Sequence, residues 1–210
     1  MKSYLYCIVM LILLNACNSS EKKTDQGNAD SNTIKKTNLK PDTPKSNAKH
    51  PPIINIADTL SVKRIIVYMS DSAATYERIA LKLGQIYGVK LQEVFKKNKL
   101  QQAGAPMAWY KTQKAPYFFE AGIPVDKKPG NLPKDVFIRE TGVDSILVAH
   151  FFGPYDLLSQ GYTALKERLM DKGISSNGLP YEIYISDAYD KKGNPVDPYK
   201  VQTDIVFPKK

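Results

Sequence analysis

Cysteine is nearly absent from this chain: 210 residues contain two, Cys7 and Cys17, and none beyond. From residue 18 onward there is therefore no thiol for a disulfide, a thiolate metal site or a nucleophile. A domain without disulfides must be held by its core, and the length permits one. Histidine is as scarce, with only His50 and His150. Neither has a second histidine or cysteine nearby in sequence with which to share a metal, so no metal is expected, and no cofactor. His150 is read as a partly buried, hydrogen-bonded strand residue. Gly-x-Ser-x-Gly and phosphate-loop patterns are missing. The apolar run Tyr4 to Leu14 has eleven residues, short of the roughly 20 that a membrane helix needs.

That run follows Met1-Lys2-Ser3 and has the length of a signal-peptide core. It ends in Leu14-Asn15-Ala16-Cys17, which resembles a bacterial lipobox, with Asn15 a less usual occupant. The resemblance implies a signal peptide over 1–16, cleavage before Cys17, and a diacylglycerol on its sulfur. It further implies a lipid-anchored protein of the cell envelope, outside the cytoplasm, with the outer membrane favoured because no Asp follows Cys17. From Asn18 to His50 the chain is Ser, Asn, Lys, Thr, Asp and Gly with almost nothing to bury. Such a composition does not offset its own chain entropy. Residues 17–52 are accordingly expected to be a lipidated, disordered polar tether, and 53–210 the folded domain.

The net charge of +9 is spread along the chain. The stretch 18–50 carries seven Lys against four acids, which leaves the folded part only mildly basic. No helix-turn-helix, zinc knuckle or basic-aromatic stripe is present. Nucleic acid is not an expected partner.

The folded part reads as two related halves, about 60–126 and 143–210. In the first, Val62 to Met69 is a strand, Ser70-Asp71-Ser72 offers helix caps, and an apolar stripe runs through Tyr76, Ile79, Ala80, Leu83, Ile86 and Tyr87. The helix continues through Leu91, Val94 and Phe95 despite Gly88. In the second, Ile146 to Phe152 is a strand, Gly153-Pro154-Tyr155-Asp156 a turn, and Leu158, Tyr162, Leu165 and Leu169 stripe a helix that stops at Gly173. Each half then has a tyrosine four residues after a proline (Tyr110, Tyr184) and an acid four residues before one (Glu120, Asp204). The expected fold is α+β: duplicated β-α-β-β halves, two antiparallel sheets each with a helix on one face, and a cleft between them. Pairing of halves within one chain fits a monomer.

Four groups occur in order: Gly122-Ile123-Pro124-Val125; His150 with Gly153-Pro154-Tyr155; Pro180 with Glu182 and Tyr184; and Thr203-Asp204-Ile205 with Pro208. In this the chain is similar to the GyrI-like family, the effector-binding domain of bacterial transcription activators. The resemblance covers about residues 60–208. It implies an aromatic cleft that binds lipophilic, often cationic, small molecules, with a glutamate in the cleft at the position of Glu182. One branch of the family resembles hydrolases of strained compounds.

Side chains alternate along a strand, so Glu182 and Tyr184 share one face and Tyr181, Ile183 and Ile185 the other. The apolar face is expected on the helix and the Glu/Tyr face on the cleft, opposite Ala108 and Tyr110. A carboxylate among rings is costly to ionise unless it is hydrogen-bonded or meets a cation. As a binding group Glu182 would neutralise a cation while Tyr184, Tyr110, Trp109, Tyr117, Phe119 and Tyr155 surround it. As a catalytic group it would be a general base with Tyr184 donating a proton. Glu120 and Asp204, near strand ends, are read as surface acids. Three functions remain open: a membrane-tethered small-molecule-binding module, a hydrolase using Glu182, and a protein-interaction module with a vestigial cleft.

Overall fold

The computed structural model describes residues 50–210. The signal peptide, Cys17 and nearly all of the tether lie outside the described residues. Eight strands and three α-helices, the first two continuous with each other, follow one another: β1 (Ile53–Leu60), β2 (Arg64–Ala73), α1 (Tyr76–Gln85), α2 (Leu91–Asn98), β3 (Met107–Tyr110), β4 (Tyr117–Val125), β5 (Phe137–Thr141), β6 (Ser145–Phe152), α3 (Leu158–Asp171), β7 (Tyr181–Tyr184) and β8 (Gln202–Pro208). One π-helical turn, Ile86–Lys90, joins α1 to α2 into a single helix across Gly88. Buried apolar positions step by five from Ile86 to Leu91 there, and the Leu91 N–H bonds back to the Ile86 carbonyl. An α-helix would rotate that stripe off the sheet; the wider turn keeps it aimed at the core.

All strands are antiparallel and form one sheet, ordered β1-β6-β8-β7-β3-β4-β2-β5. The duplication is plain in that order: β2-β4-β3 mirrors β6-β8-β7, and the two short strands β3 and β7 pair at the centre. The two sheets expected from the sequence are thus joined into one along this seam. The strand leading into each half completes the other half: β1 pairs with β6, and β5 with β2.

That exchange forces curvature. β1 and β2 stand six ladder steps apart, which on a flat sheet is roughly 29 Å. The linker Ser61 to Lys63 reaches only about 14 Å. The same holds for β5 and β6, joined by Gly142 to Asp144. The sheet must curl until the two linkers cross. At the crossing, Ser61 N–H donates to the Asp144 carbonyl at 2.8 Å, Asp144 N–H to Ser61 Oγ at 2.9 Å, and Arg64 N–H to Thr141 Oγ1 at 3.0 Å.

Both helices lie on the outside of the curl. α1 and α2 bury Ile79, Leu91, Val94 and Phe95 against Val67, Met69, Phe119 and Ile123. α3 buries Leu158, Leu165 and Leu169 against Leu147, Phe151, Ile205 and Phe207. It ends as expected at Gly173, whose φ of +63° suits glycine. The inner face carries its own apolar rows, Ile66, Met107 and Trp109 from one half and Ile146, Val148 and Val206 from the other.

Two local expectations need correction. Ser70, Asp71 and Ser72 do not cap a helix. β2 continues through them to Ala73, because pairing with β4 over Tyr117 to Val125 outweighs their cap preference. Glu120 is no surface acid: it sits in mid-strand, buried, between Lys111 and Arg139.

Gly122 of β4 lies between Tyr68 and Met107 in register. A Cβ there would stand 2.7 Å from both Ile66 Cγ2 and Tyr68 Cβ and 2.9 Å from the Val67 carbonyl. Gly122→Ala is therefore expected to destabilise the fold by about 1–3 kcal/mol. Scanning fluorimetry should show a melting temperature lower by roughly 2–4 °C per kcal/mol. An unchanged melting curve would mean that β4 moves freely in the sheet.

Candidate functional site

Where β3 and β7 meet, the helices of the two halves leave the outer face of the sheet uncovered. The gap is a cavity of about 300 Å³. Tyr76, Ala80 and Leu83 of α1 form one wall, Tyr155 and Leu158 the opposite wall, and Tyr110, Glu182 and Tyr184 the floor. No Lys, Arg or His lines it among the described residues.

Glu182 is buried. Its Oε1 accepts the Tyr162 hydroxyl of α3 at 2.9 Å, and its Oε2 the Tyr184 hydroxyl at 2.8 Å. Tyr184 in turn shares a 3.0 Å hydrogen bond with Tyr110. These two tyrosines are the ones placed four residues after a proline in each half, and the seam brings them together. The register also sets Ala108 directly against Glu182, so the half without an acid leaves room for the half with one. Further out, Tyr87 donates to the Met107 carbonyl at 2.8 Å and Tyr76 to the Tyr155 carbonyl at 2.9 Å. The latter bond bridges the two walls.

Burial pushes the Glu182 carboxyl above its ordinary range, and the hydroxyls of Tyr184 and Tyr162 pull it only part of the way back. Burial, reinforced by the charge on Glu182, holds Tyr87, Tyr110, Tyr162 and Tyr184 well above the usual tyrosine range. These hydroxyls stay protonated and serve as donors. Glu120, the other buried glutamate, behaves oppositely. Burial pushes it up, but Lys111 and Arg139 outweigh burial and hold it below the ordinary carboxylate range. Among the described residues Glu182 has hydroxyls but no cation.

Of the residues proposed from sequence, Glu182, Tyr184, Tyr110 and Tyr155 meet in this cavity. Trp109, Phe119 and Tyr117 stand outside its lining. Alternation along β3 turns Trp109 away from Tyr110 to the inner face, where its ring lies tilted 5.5 Å from that of Tyr181 and 4.5 Å under the Arg139 guanidinium. Phe119 shares the cavity's side of the sheet but is fully buried in the core of the first half. Tyr117 meets Tyr76 edge-on at 6.4 Å, one ring behind the wall. The sidedness also differs from expectation: the Glu/Tyr face is the helix side, and Tyr181 and Ile183 face the interior of the curl. Sequence reasoning missed Tyr76, Tyr87 and Tyr162, which read as ordinary members of apolar helix stripes. Their hydroxyls were the available signal, since a buried tyrosine needs a polar partner.

No protein-family model and no curated protein matches the chain. Among solved structures it is similar to EcmrR in an EcmrR-DNA complex in EcmrR-RPo, with TM-score 0.63 and 20% identity over 75% of this chain and 57% of that one. It is similar also to the EcmrR C-terminal domain, with TM-score 0.60 and 20% identity, covering 75% of this chain and 98% of that domain. A looser likeness, TM-score 0.43 at 11% identity over 75% of this chain and 94% of the other, is to SAV2435 bound to tetraphenylphosphonium. The protein therefore has the fold of the EcmrR C-terminal domain, an α+β fold in agreement with the GyrI-like architecture expected from the sequence. The chain spans little more than half of the EcmrR chain seen with DNA.

Proposed function

We propose that this protein is a small-molecule-binding module, held at a bacterial membrane by a lipid on Cys17, whose cavity takes up lipophilic cations for sensing, sequestration or hand-over. One observation carries the reading: a buried carboxylate, Glu182, lies on the floor of an aromatic cavity and has no counter-cation among the described residues. A bound cation supplies that charge while Tyr110, Tyr155 and Tyr184 line the site with aromatic surface. In this reading residues 1–16 are removed, 17–52 tether the domain, and 53–210 bind the ligand. The shared fold with the EcmrR C-terminal domain supports a binding role. A place among DNA regulators does not follow for a chain anchored outside the cytoplasm.

The test is a fluorescence titration of the full-length chain with N-methylacridinium and with its neutral isostere 9-methylanthracene. Saturable binding of the cation, tighter than that of the isostere, is expected. Equal affinities, or no binding of either, would overturn the proposal. The anchor has a separate test. Cys17→Ser is expected to move the protein from the membrane fraction to the soluble one, and retention in the membrane would count against lipidation.

The hydrogen-bonded chain Tyr110–Tyr184–Glu182 favours a second reading, a hydrolase with Glu182 as general base and Tyr184 as proton donor. Consumption of a bound ester or strained-ring compound, abolished by Glu182→Gln, separates it from binding alone.

A further inference from the structure

The inner face of the curl holds a cavity that Glu182 does not touch. It measures about 160 Å³ and is floored by Met107, Ile146, Val148, Ile183 and Val206. Two charged groups of opposite sign reach it from different strands, Arg64 from β2 and Asp204 from β8.

Neither is saturated. Arg64 is half-buried and forms no ion pair among the described residues. The only hydrogen-bonding contact of its guanidinium there is a weak one, Nη1 to the Met107 sulfur at 3.8 Å. Asp204 uses a single oxygen: Oδ1 accepts from His150 Nδ1 at 2.8 Å and from Gln202 Nε2 at 2.9 Å. Oδ2 accepts from no group among the described residues. With Nδ1 committed to Asp204, His150 presents Nε2 as its free ring nitrogen. The pair is therefore more than the way a strand histidine is satisfied, because it builds one polar wall over the cavity's apolar floor.

The charge pattern selects the ligand. A simple anion drawn to Arg64 meets Asp204, and a simple cation drawn to Asp204 meets Arg64. A molecule carrying both signs engages both, its carboxylate on the guanidinium fork and its ammonium on the free carboxylate oxygen. The apolar floor then takes a hydrocarbon side chain. A volume of about 160 Å³, roughly that of five liquid waters, suits a molecule of amino-acid size and excludes a dye.

We propose that this inner cavity is a second binding site, for a small apolar zwitterion of the aliphatic α-amino acid class, held between Arg64 and the His150–Asp204 pair. It lies on the opposite face of the sheet from Glu182 and does not depend on what that cavity binds.

The experiment is an NMR shift titration of the full-length chain with L-leucine, 4-methylpentanoate, which lacks the ammonium, and leucinamide, which lacks the carboxylate. Leucine is expected to bind saturably and about tenfold or more tighter than either analogue, with Arg64→Gln removing the preference over leucinamide and Asp204→Asn the preference over 4-methylpentanoate. Arg64 is half-exposed at a strand end, so Arg64→Gln keeps the test sound if Asp204→Asn does not fold. N-methylacridinium binding should be indifferent to leucine. No saturable shift, equal affinity for all three compounds, an unaltered Arg64→Gln, or displacement of acridinium by leucine would each overturn the proposal.

Discussion

Glu182→Gln is expected to weaken N-methylacridinium binding by about tenfold to a hundredfold while leaving 9-methylanthracene within about twofold of wild type. The variant keeps the volume and one acceptor oxygen of the side chain, removes the charge and turns the other acceptor into a donor. Tyr162 or Tyr184 keeps an acceptor, and the tyrosine facing the new amide receives a hydrogen bond in place of giving one. The same substitution should stabilise the unliganded fold at neutral pH. Burial raises the Glu182 carboxyl above its unfolded value, so whatever stability it contributes is fully present below the unfolded pKa and is lost as pH rises through the folded one. Glutamine does not titrate and escapes that loss. The variant should therefore melt above wild type at neutral pH, and the difference should close as the pH falls below the ordinary carboxylate range. Equal melting temperatures at neutral pH would mean that the carboxylate is better solvated than its burial indicates. Loss of affinity for both dyes alike would point to a collapsed cavity and not to a missing charge.

Much of this site could be read from local sequence. The Pro-x-x-x-Tyr repeat located Tyr110 and Tyr184, and strand alternation put Glu182 beside Tyr184. Their meeting at 3.0 Å needs the pairing of β3 with β7, which no local pattern supplies. Alternation tells which residues share a face but not which face receives the helix. That is why Tyr181 and Ile183 were expected under a helix and lie inside the curl. It also rules out Trp109 and Tyr110 as neighbours in one cavity, a consequence of period two that aromatic content alone does not reveal. β1 and β5 were not legible as strands. They are edge strands with mixed polar and apolar residues, and each is fixed by a partner from the opposite half. The curl follows from that exchange and was out of reach for the same reason. Asp204 and Glu120 looked equivalent as strand-end acids, yet each is matched to a partner that only the sheet brings near: His150 for one, Lys111 and Arg139 for the other. Glu182 differs from both in having no basic partner among the described residues, only the hydroxyls of Tyr162 and Tyr184, and no pattern in the sequence records a missing cation.

The second large effect expected is in the pH dependence of cation binding. A cation is drawn to Glu182 only when the carboxylate is ionised, and burial delays ionisation to a pH above the usual carboxylate range. Below that raised value, each bound cation must displace one proton, so affinity should climb by about tenfold per pH unit and then level off once Glu182 is ionised in the free protein. The tyrosines do not disturb the profile, since Tyr110 and Tyr184 are held well above the normal range. Asp187 at the rim is the other acid that lines the cavity, and Asp187→Asn distinguishes its influence. The profile should survive that change with its midpoint nearly unmoved, whereas Glu182→Gln should flatten it. Calorimetry gives an independent reading. In the rising part of the curve the binding enthalpy should vary with the ionisation enthalpy of the buffer, because the proton leaving Glu182 is taken up by solvent. In Glu182→Gln that dependence should vanish. An affinity that stays constant from acid to neutral pH in the wild-type protein, with no proton release, would show that the cation is held by aromatic faces alone and that the buried carboxylate is not its counter-charge.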